Sequence, residues 1–310
     1  MDKVAELNET DIPKILLPTI GIFVPLLEEK RSLILSTPRR TFKYGTTDRH
    51  KLDVYYPAEP LASGKTPVLF FLYGGSYMSG DRILPAPADL AYANVGAYFS
   101  RKGFTTVIPD YRITPEAVFP DPSKDARDAI VWITENPHSL SYGSFTSAGL
   151  DSIFVMGHSA GAITVSTMVL LSLLPESVQS LLKGAILIAG AYAWDTEVEG
   201  VPGIPPEVTN QFFGSVDKAK ENTPLPLLET FPKDKLSALP PILIAHAESE
   251  PDSFLRVGKR FHDALSTLTE KQVPKIIGRG HNHISTTFAL MSGQGEQWAD
   301  EVAVWIQAAL

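Results

Sequence analysis

The sequence predicts an α/β fold, a doubly wound and mostly parallel sheet of eight strands with helices on both faces. Three observations carry this. Short apolar runs alternate with longer helical patterns over most of the chain. The later runs are continuously hydrophobic, as strands covered on both faces are. The chain has 310 residues, 44% hydrophobic and 20% charged, enough for one large core.

The expected strands are TFKYG (41–45), KLDVYYP (51–57), PVLFFLY (67–73), TTVIPDY (105–111), SIFVMG (152–157), GAILIAG (184–190), PILIAHA (241–247) and KIIG (275–278). Helical patterns fall at 88–102, 123–135, 160–173, 253–269 and 296–309. No helix separates the first two strands, so they are expected to form an antiparallel edge hairpin. Residues 1–40 are expected to be an N-terminal segment packed on the body, and 41–310 a single domain. Residues 192–239 break the alternation with prolines and aromatics, and are expected to insert as a small cap over the C-terminal edge of the sheet, where open α/β sheets bind ligands. The run ILLPTIGIFVPLL (15–27) is too short to span a bilayer, and two prolines are expected to break it. It reads as a helix or turn on the body, with a lid or membrane-touching element as the alternative.

Composition excludes several functions. The formal charge is −8 and no basic cluster is present, so no nucleic-acid partner is expected. With no cysteine there is no disulfide, thiolate metal site or cysteine nucleophile. The polar start MDKVAELNETD does not read as a signal peptide, and the chain is expected in the cytoplasm without stable membrane insertion. His281-x-His283 lacks a third ligand at a motif-like interval, so no metal and no cofactor are expected.

VMGHSAG (155–161) carries the chemistry. It is Gly-x-Ser-x-Gly between a strand and a helix, with Ser159 at the turn. A serine on so sharp a turn projects its hydroxyl above the sheet, and its neighbours must be small, as Gly157 and Gly161 are. The hydroxyl needs a base, expected after a late strand. IIGRGHNHIS (276–285) offers His283, preferred because Ser285 can cap the next helix and fix the loop, and His281 as the alternative. The other histidines (50, 138, 158, 246, 262) read as surface or packing residues. The orienting acid belongs between serine and histidine in chain order. AHAESEPDSF supplies Glu250, with Asp252 second; Glu248 is the remaining acid. In FLYGGSYMSGD (71–81), glycines after the third strand leave backbone N–H groups open to an oxyanion. Gly75 and Ser76, with Ala160, are the expected donors.

With these motifs the chain resembles the α/β-hydrolase family over residues 40–310. More narrowly it resembles the carboxylesterases related to hormone-sensitive lipase and the kynurenine formamidases. That family carries His-Gly-Gly where this chain has Tyr73-Gly74-Gly75. It carries a DYRLAPE-like block where this chain has Asp110-Tyr111-Arg112-Ile113-Thr114-Pro115-Glu116, then Phe119-Pro120 and the acidic helix from Asp125 to Trp132. The block reads as a brace for the oxyanion loop, and a Tyr73 hydroxyl is expected to replace the histidine's supporting hydrogen bonds. Glu250 stands where aspartate is usual. The resemblance implies a serine hydrolase acting on a small-molecule ester or amide through a Ser159–His283–Glu250 triad, and a possible homodimer. Formamide hydrolysis, lactone or secondary-metabolite ester cleavage, acyl transfer and a catalytically silent binding protein are the alternatives. Tyr77, Tyr192, Trp194, Phe212 and Phe213 are candidates to line the pocket.

Overall fold

A computed structural model describes residues 1–61, 63–64, 66–143 and 150–310. Its centre is one eight-stranded sheet: β1 (Arg39–Lys43), β2 (Lys51–Tyr55), β3 (Val68–Leu72), β4 (Thr105–Pro109), β5 (Ile153–His158), β6 (Leu182–Ile188), β7 (Ile242–Ser249) and β8 (Lys275–Asn282). The spatial order is β1-β2-β4-β3-β5-β6-β7-β8. All pairs are parallel except β1–β2 and β2–β4. The expected hairpin is therefore present at one edge, and β2 also bridges it to the parallel body.

Burial explains the continuous runs. Every residue of β3 (VLFFL) and of β5 (IFVMGH) is buried, because layers of helix cover both faces. The helix Ala160–Leu170, directly after β5, is buried along its whole length. It lacks a polar stripe for that reason, and it fixes the β5 exit rigidly within the core.

The segment 15–27 is helical, but its prolines do not break it as expected. A single helix, Ile12–Glu29, runs through both Pro18 and Pro25. Each interior proline removes a helical hydrogen bond and costs about 3 kcal/mol in an isolated helix. Burial of Ile15, Thr19, Phe23 and Leu27, spaced four apart on one stripe, offsets that cost. Among the described residues no helix is long and apolar enough to cross a membrane.

Between β6 and β7 the chain forms the helices Pro206–Phe213, Val216–Asn222 and Pro224–Glu229. This stretch touches the loop after β3. The Ser76 hydroxyl donates to the Gly203 carbonyl at 2.5 Å, and Phe212 stacks on Tyr77 with centroids 4.0 Å apart.

Candidate active site

The turn after β5 is as tight as its sequence implies. Ser159 has φ 55° and ψ −121°, a strained position for a residue with a side chain. Its N–H donates to the Ile188 carbonyl at 2.9 Å, tying the turn to the end of β6. A Cβ on Gly157 would meet the Gly161 carbonyl oxygen at 2.3 Å, and one on Gly161 would meet that of Leu72 at 2.1 Å. Both glycines are therefore required by close backbone approach.

Ser159, His283 and Glu250 come together from three strand ends. The Ser159 Oγ lies 3.0 Å from His283 Nε2. His283 Nδ1 lies 2.7 Å from Glu250 Oε2. The second carboxylate oxygen, Oε1, accepts the Ala247 N–H at 3.1 Å. Both the acid and the histidine are only 2% exposed. A register shift between Ala247 and Ser249 bends the end of β7, the type of irregularity that re-aims a side chain at a sheet edge.

The alternatives lie elsewhere. His281 donates from Nε2 to the Gly295 carbonyl at 2.6 Å, and its Nδ1 pairs with the Ser285 hydroxyl at 3.0 Å. Asp252 begins the helix Asp252–Thr269, and Glu248 pairs with Arg279. The cap expected of Ser285 is supplied by Asn282, whose Oδ1 accepts from the N–H groups of Ile284 and Ser285. Asn282 also donates from Nδ2 to the Thr19 hydroxyl at 2.8 Å, so the N-terminal helix grips the histidine loop.

His158 has a role that its sequence position concealed. Its buried ring donates from Nε2 to the His283 carbonyl at 2.9 Å, holding the backbone of its neighbour. Burial, and then the proximity of His283, lower its pKa from 6.5 to about 3. Burial also lowers His246 and His281. These groups are neutral when folded, and the unfolded chain takes up their protons below pH 6.5. Stability is thus expected to fall as pH drops from about 6.5, His158 contributing up to about 1.4 kcal/mol per pH unit. Denaturant unfolding at a series of pH values measures this, and a flat profile between neutrality and pH 5 would contradict it.

The loop after β3 is held from below. Tyr73 donates to Asp110 Oδ1 at 2.6 Å and accepts from Arg49 at 3.0 Å. Burial raises its pKa well above that of an ordinary phenol, so it remains a donor. Asp110 also accepts the Arg82 N–H at 2.6 Å, and Arg49 donates to the Gly80 carbonyl at 2.7 Å. The Tyr111 hydroxyl donates to the Tyr73 carbonyl, and Thr114 donates twice to that of Tyr77. The block 110–116 therefore braces loop 74–82 directly. Tyr73→Phe is expected to cost about 2 kcal/mol of stability, since it removes a buried bond to a carboxylate; the denaturant midpoint reads this.

Within that loop Gly75 has φ 127°, and a Cβ there would meet the Ser79 carbonyl oxygen at 2.1 Å. A Cβ on Gly74 would come within 2.8 Å of the Ser159 Cβ, so the loop passes directly beside the serine. Among the described residues no protein acceptor takes the N–H of Gly75, Ser76 or Ala160. These are the donors expected from the sequence.

The candidate pocket aromatics mostly pack on one another. Tyr77 lies against Phe212, Phe213 against Phe119, and Tyr192 against Phe261. Among the described residues no group of three His, Asp or Glu side chains could hold a metal ion.

Comparison with known proteins agrees with this fold. The family model BD-FAE matches residues 52–181. The isoprenylcysteine α-carbonyl methylesterase of Arabidopsis thaliana is 25% identical over 280 residues, covering 86% of this chain and 61% of that protein. The kynurenine formamidase of Danio rerio is 23% identical over 226 residues, covering 72% of this chain and 67% of that protein. The chain spans 55% to 64% of the length of three Arabidopsis methylesterases that it matches. A hyperthermophilic esterase from Pyrobaculum calidifontis superposes with a TM-score of 0.68 at 19% identity, covering 98% of this chain and 95% of that one. The chain has the fold of the α/β-hydrolases, and in sequence it is similar to esterases and to a kynurenine formamidase.

Proposed function

We propose that the protein is a serine hydrolase that cleaves carboxylic esters of small molecules through an acyl-enzyme. The observation that carries this reading is the continuous line of contacts from Ser159 Oγ to His283 Nε2 at 3.0 Å and from His283 Nδ1 to Glu250 at 2.7 Å. Ser159 attacks the ester carbonyl while His283 takes its proton. Glu250 holds the imidazole in the tautomer that leaves Nε2 free to accept, and stabilises the imidazolium that forms. The N–H groups of Gly75, Ser76 and Ala160 stabilise the tetrahedral oxyanion, and their fixed backbone needs little reorganisation as charge develops. His283 then protonates the leaving alcohol, and water releases the acid by the same steps in reverse.

A second reading, formamide hydrolysis, is favoured by the similarity to a kynurenine formamidase. It uses the same residues with an amine leaving group.

The test uses a fluorophosphonate probe, p-nitrophenyl acetate, butyrate and octanoate, and N-formylkynurenine. Turnover of the esters and a phosphonyl adduct on the Ser159 peptide are expected. Preference for N-formylkynurenine moves the reading to the formamidase. A folded protein inert to the probe and to all four substrates overturns both.

A further inference from the structure

Three successive residues of the loop after β3 have positive φ: Gly75 at 127°, Ser76 at 54° and Tyr77 at 60°. Only the first is a glycine. A side chain makes this region costly, and such a turn persists only where its surroundings hold it. The backbone angles also set where the Gly75 and Ser76 N–H groups point. Whatever holds the turn therefore aims two of the three proposed oxyanion donors.

Both side chains are engaged. The buried Tyr77 hydroxyl lies 3.1 Å from the Ala160 carbonyl oxygen and 3.2 Å from Thr164 Oγ1. Thr164 donates to the same carbonyl at 3.0 Å. The phenol is thus fixed to the first turn of the helix Ala160–Leu170, whose leading N–H is the third proposed donor. Burial raises its pKa, which keeps its proton in place to donate. The ring stacks on Phe212 with the planes 14° apart. The Ser76 hydroxyl donates to the Gly203 carbonyl. Gly203 is itself closely packed: a Cβ there would come within 2.8 Å of the Phe254 ring, whose centroid lies 4.8 Å from that of His283.

We infer that the side chains of Tyr77 and Ser76 are positioning groups for the oxyanion hole. Tyr77 sets the spacing between the donors of the loop and that of Ala160, and Ser76 ties the loop to the chain at Gly203. This rests on the ester-hydrolysis reading, which identifies the donors, and adds what aims them.

The test reads p-nitrophenyl acetate turnover and the hemiketal formed with a trifluoromethyl ketone labelled with 13C at its carbonyl. Ser159 Oγ bonds to that carbon, its proton passes to His283, and the carbonyl π pair becomes an oxyanion in the hole. The 13C shift against pH gives the pKa of that oxygen. Tyr77→Phe keeps the stack and leaves the Ala160 carbonyl bonded to Thr164. It is expected to lower kcat about thirtyfold with KM within about twofold, because the donors act on the developing charge. The hemiketal pKa should rise by about 1.5, the same factor read in a stable adduct. Ser76→Ala keeps the N–H, and serves also if Tyr77→Phe fails to fold. It should lower kcat about fivefold and raise the hemiketal pKa by about 0.7.

Wild-type turnover with both variants within about twofold of it, and the hemiketal pKa unmoved, overturns the inference and leaves the ester-hydrolysis reading standing. A lower kcat matched by a lower denaturant midpoint, with the hemiketal pKa unmoved, marks both side chains as packing groups and likewise overturns it. Wild type that neither turns over the ester nor forms the hemiketal overturns that reading and this inference together.

Discussion

Ser159→Ala is expected to reduce kcat on p-nitrophenyl butyrate by about five to six orders of magnitude, the scale on which removal of a triad member acts. That corresponds to about 7–8 kcal/mol of lost transition-state stabilisation. The fold should not change. Alanine at φ 55° is as strained as the serine it replaces, and the backbone N–H at position 159 still reaches Ile188. An unaltered denaturant midpoint beside a lost rate is therefore the expected pair of results. A rate within tenfold of wild type would end the proposed role of Ser159.

His283→Ala is expected to remove a comparable share of the rate, and His281→Ala to leave it within about tenfold of wild type. The two variants should diverge in stability too. Without His283 the Glu250 carboxylate, 2% exposed, keeps only the Ala247 N–H, and an uncompensated buried charge costs about 3 kcal/mol or more. His283→Gln restores a donor without restoring a base, so it should recover part of the stability and little of the rate. His281→Ala loses the bonds to Ser285 and Gly295, a cost of about 1–3 kcal/mol that falls on the loop alone. Steady-state rates and denaturant midpoints of the three variants decide between the histidines. A larger rate loss for His281→Ala would reverse their assignment.

The elements that were legible from sequence are those with a local signature. All eight strands lie where apolar runs placed them. The glycines around Ser159 signalled a turn whose backbone is too crowded for side chains. The order serine, acid, histidine then narrowed the partners to two short loops, and the structure brings the preferred member of each to Ser159. What was not legible depends on pairs distant in sequence. His158 finds the His283 carbonyl across 125 residues, and Asn282 finds Thr19 across 263. No periodicity marks such pairs. The prolines misled for a related reason: helix-breaking is a local tendency, and the packing that overrides it at Pro18 and Pro25 comes from elsewhere in the chain.

The bond between Thr19 and Asn282 has a consequence for synthesis. Domains tend to fold as units while the chain is made from its N-terminus. Strands β1 to β6 and the serine turn all precede residue 190, so a nascent chain can build the surroundings of Ser159 early. Glu250, His283 and the contact that steadies their loop arrive only with β7, β8 and the turns at their C-terminal ends. Until that last stretch is made, Ser159 lacks the base and the orienting acid proposed for it. A chain that stalls or terminates before residue 283 would therefore expose an unarmed serine to the cell.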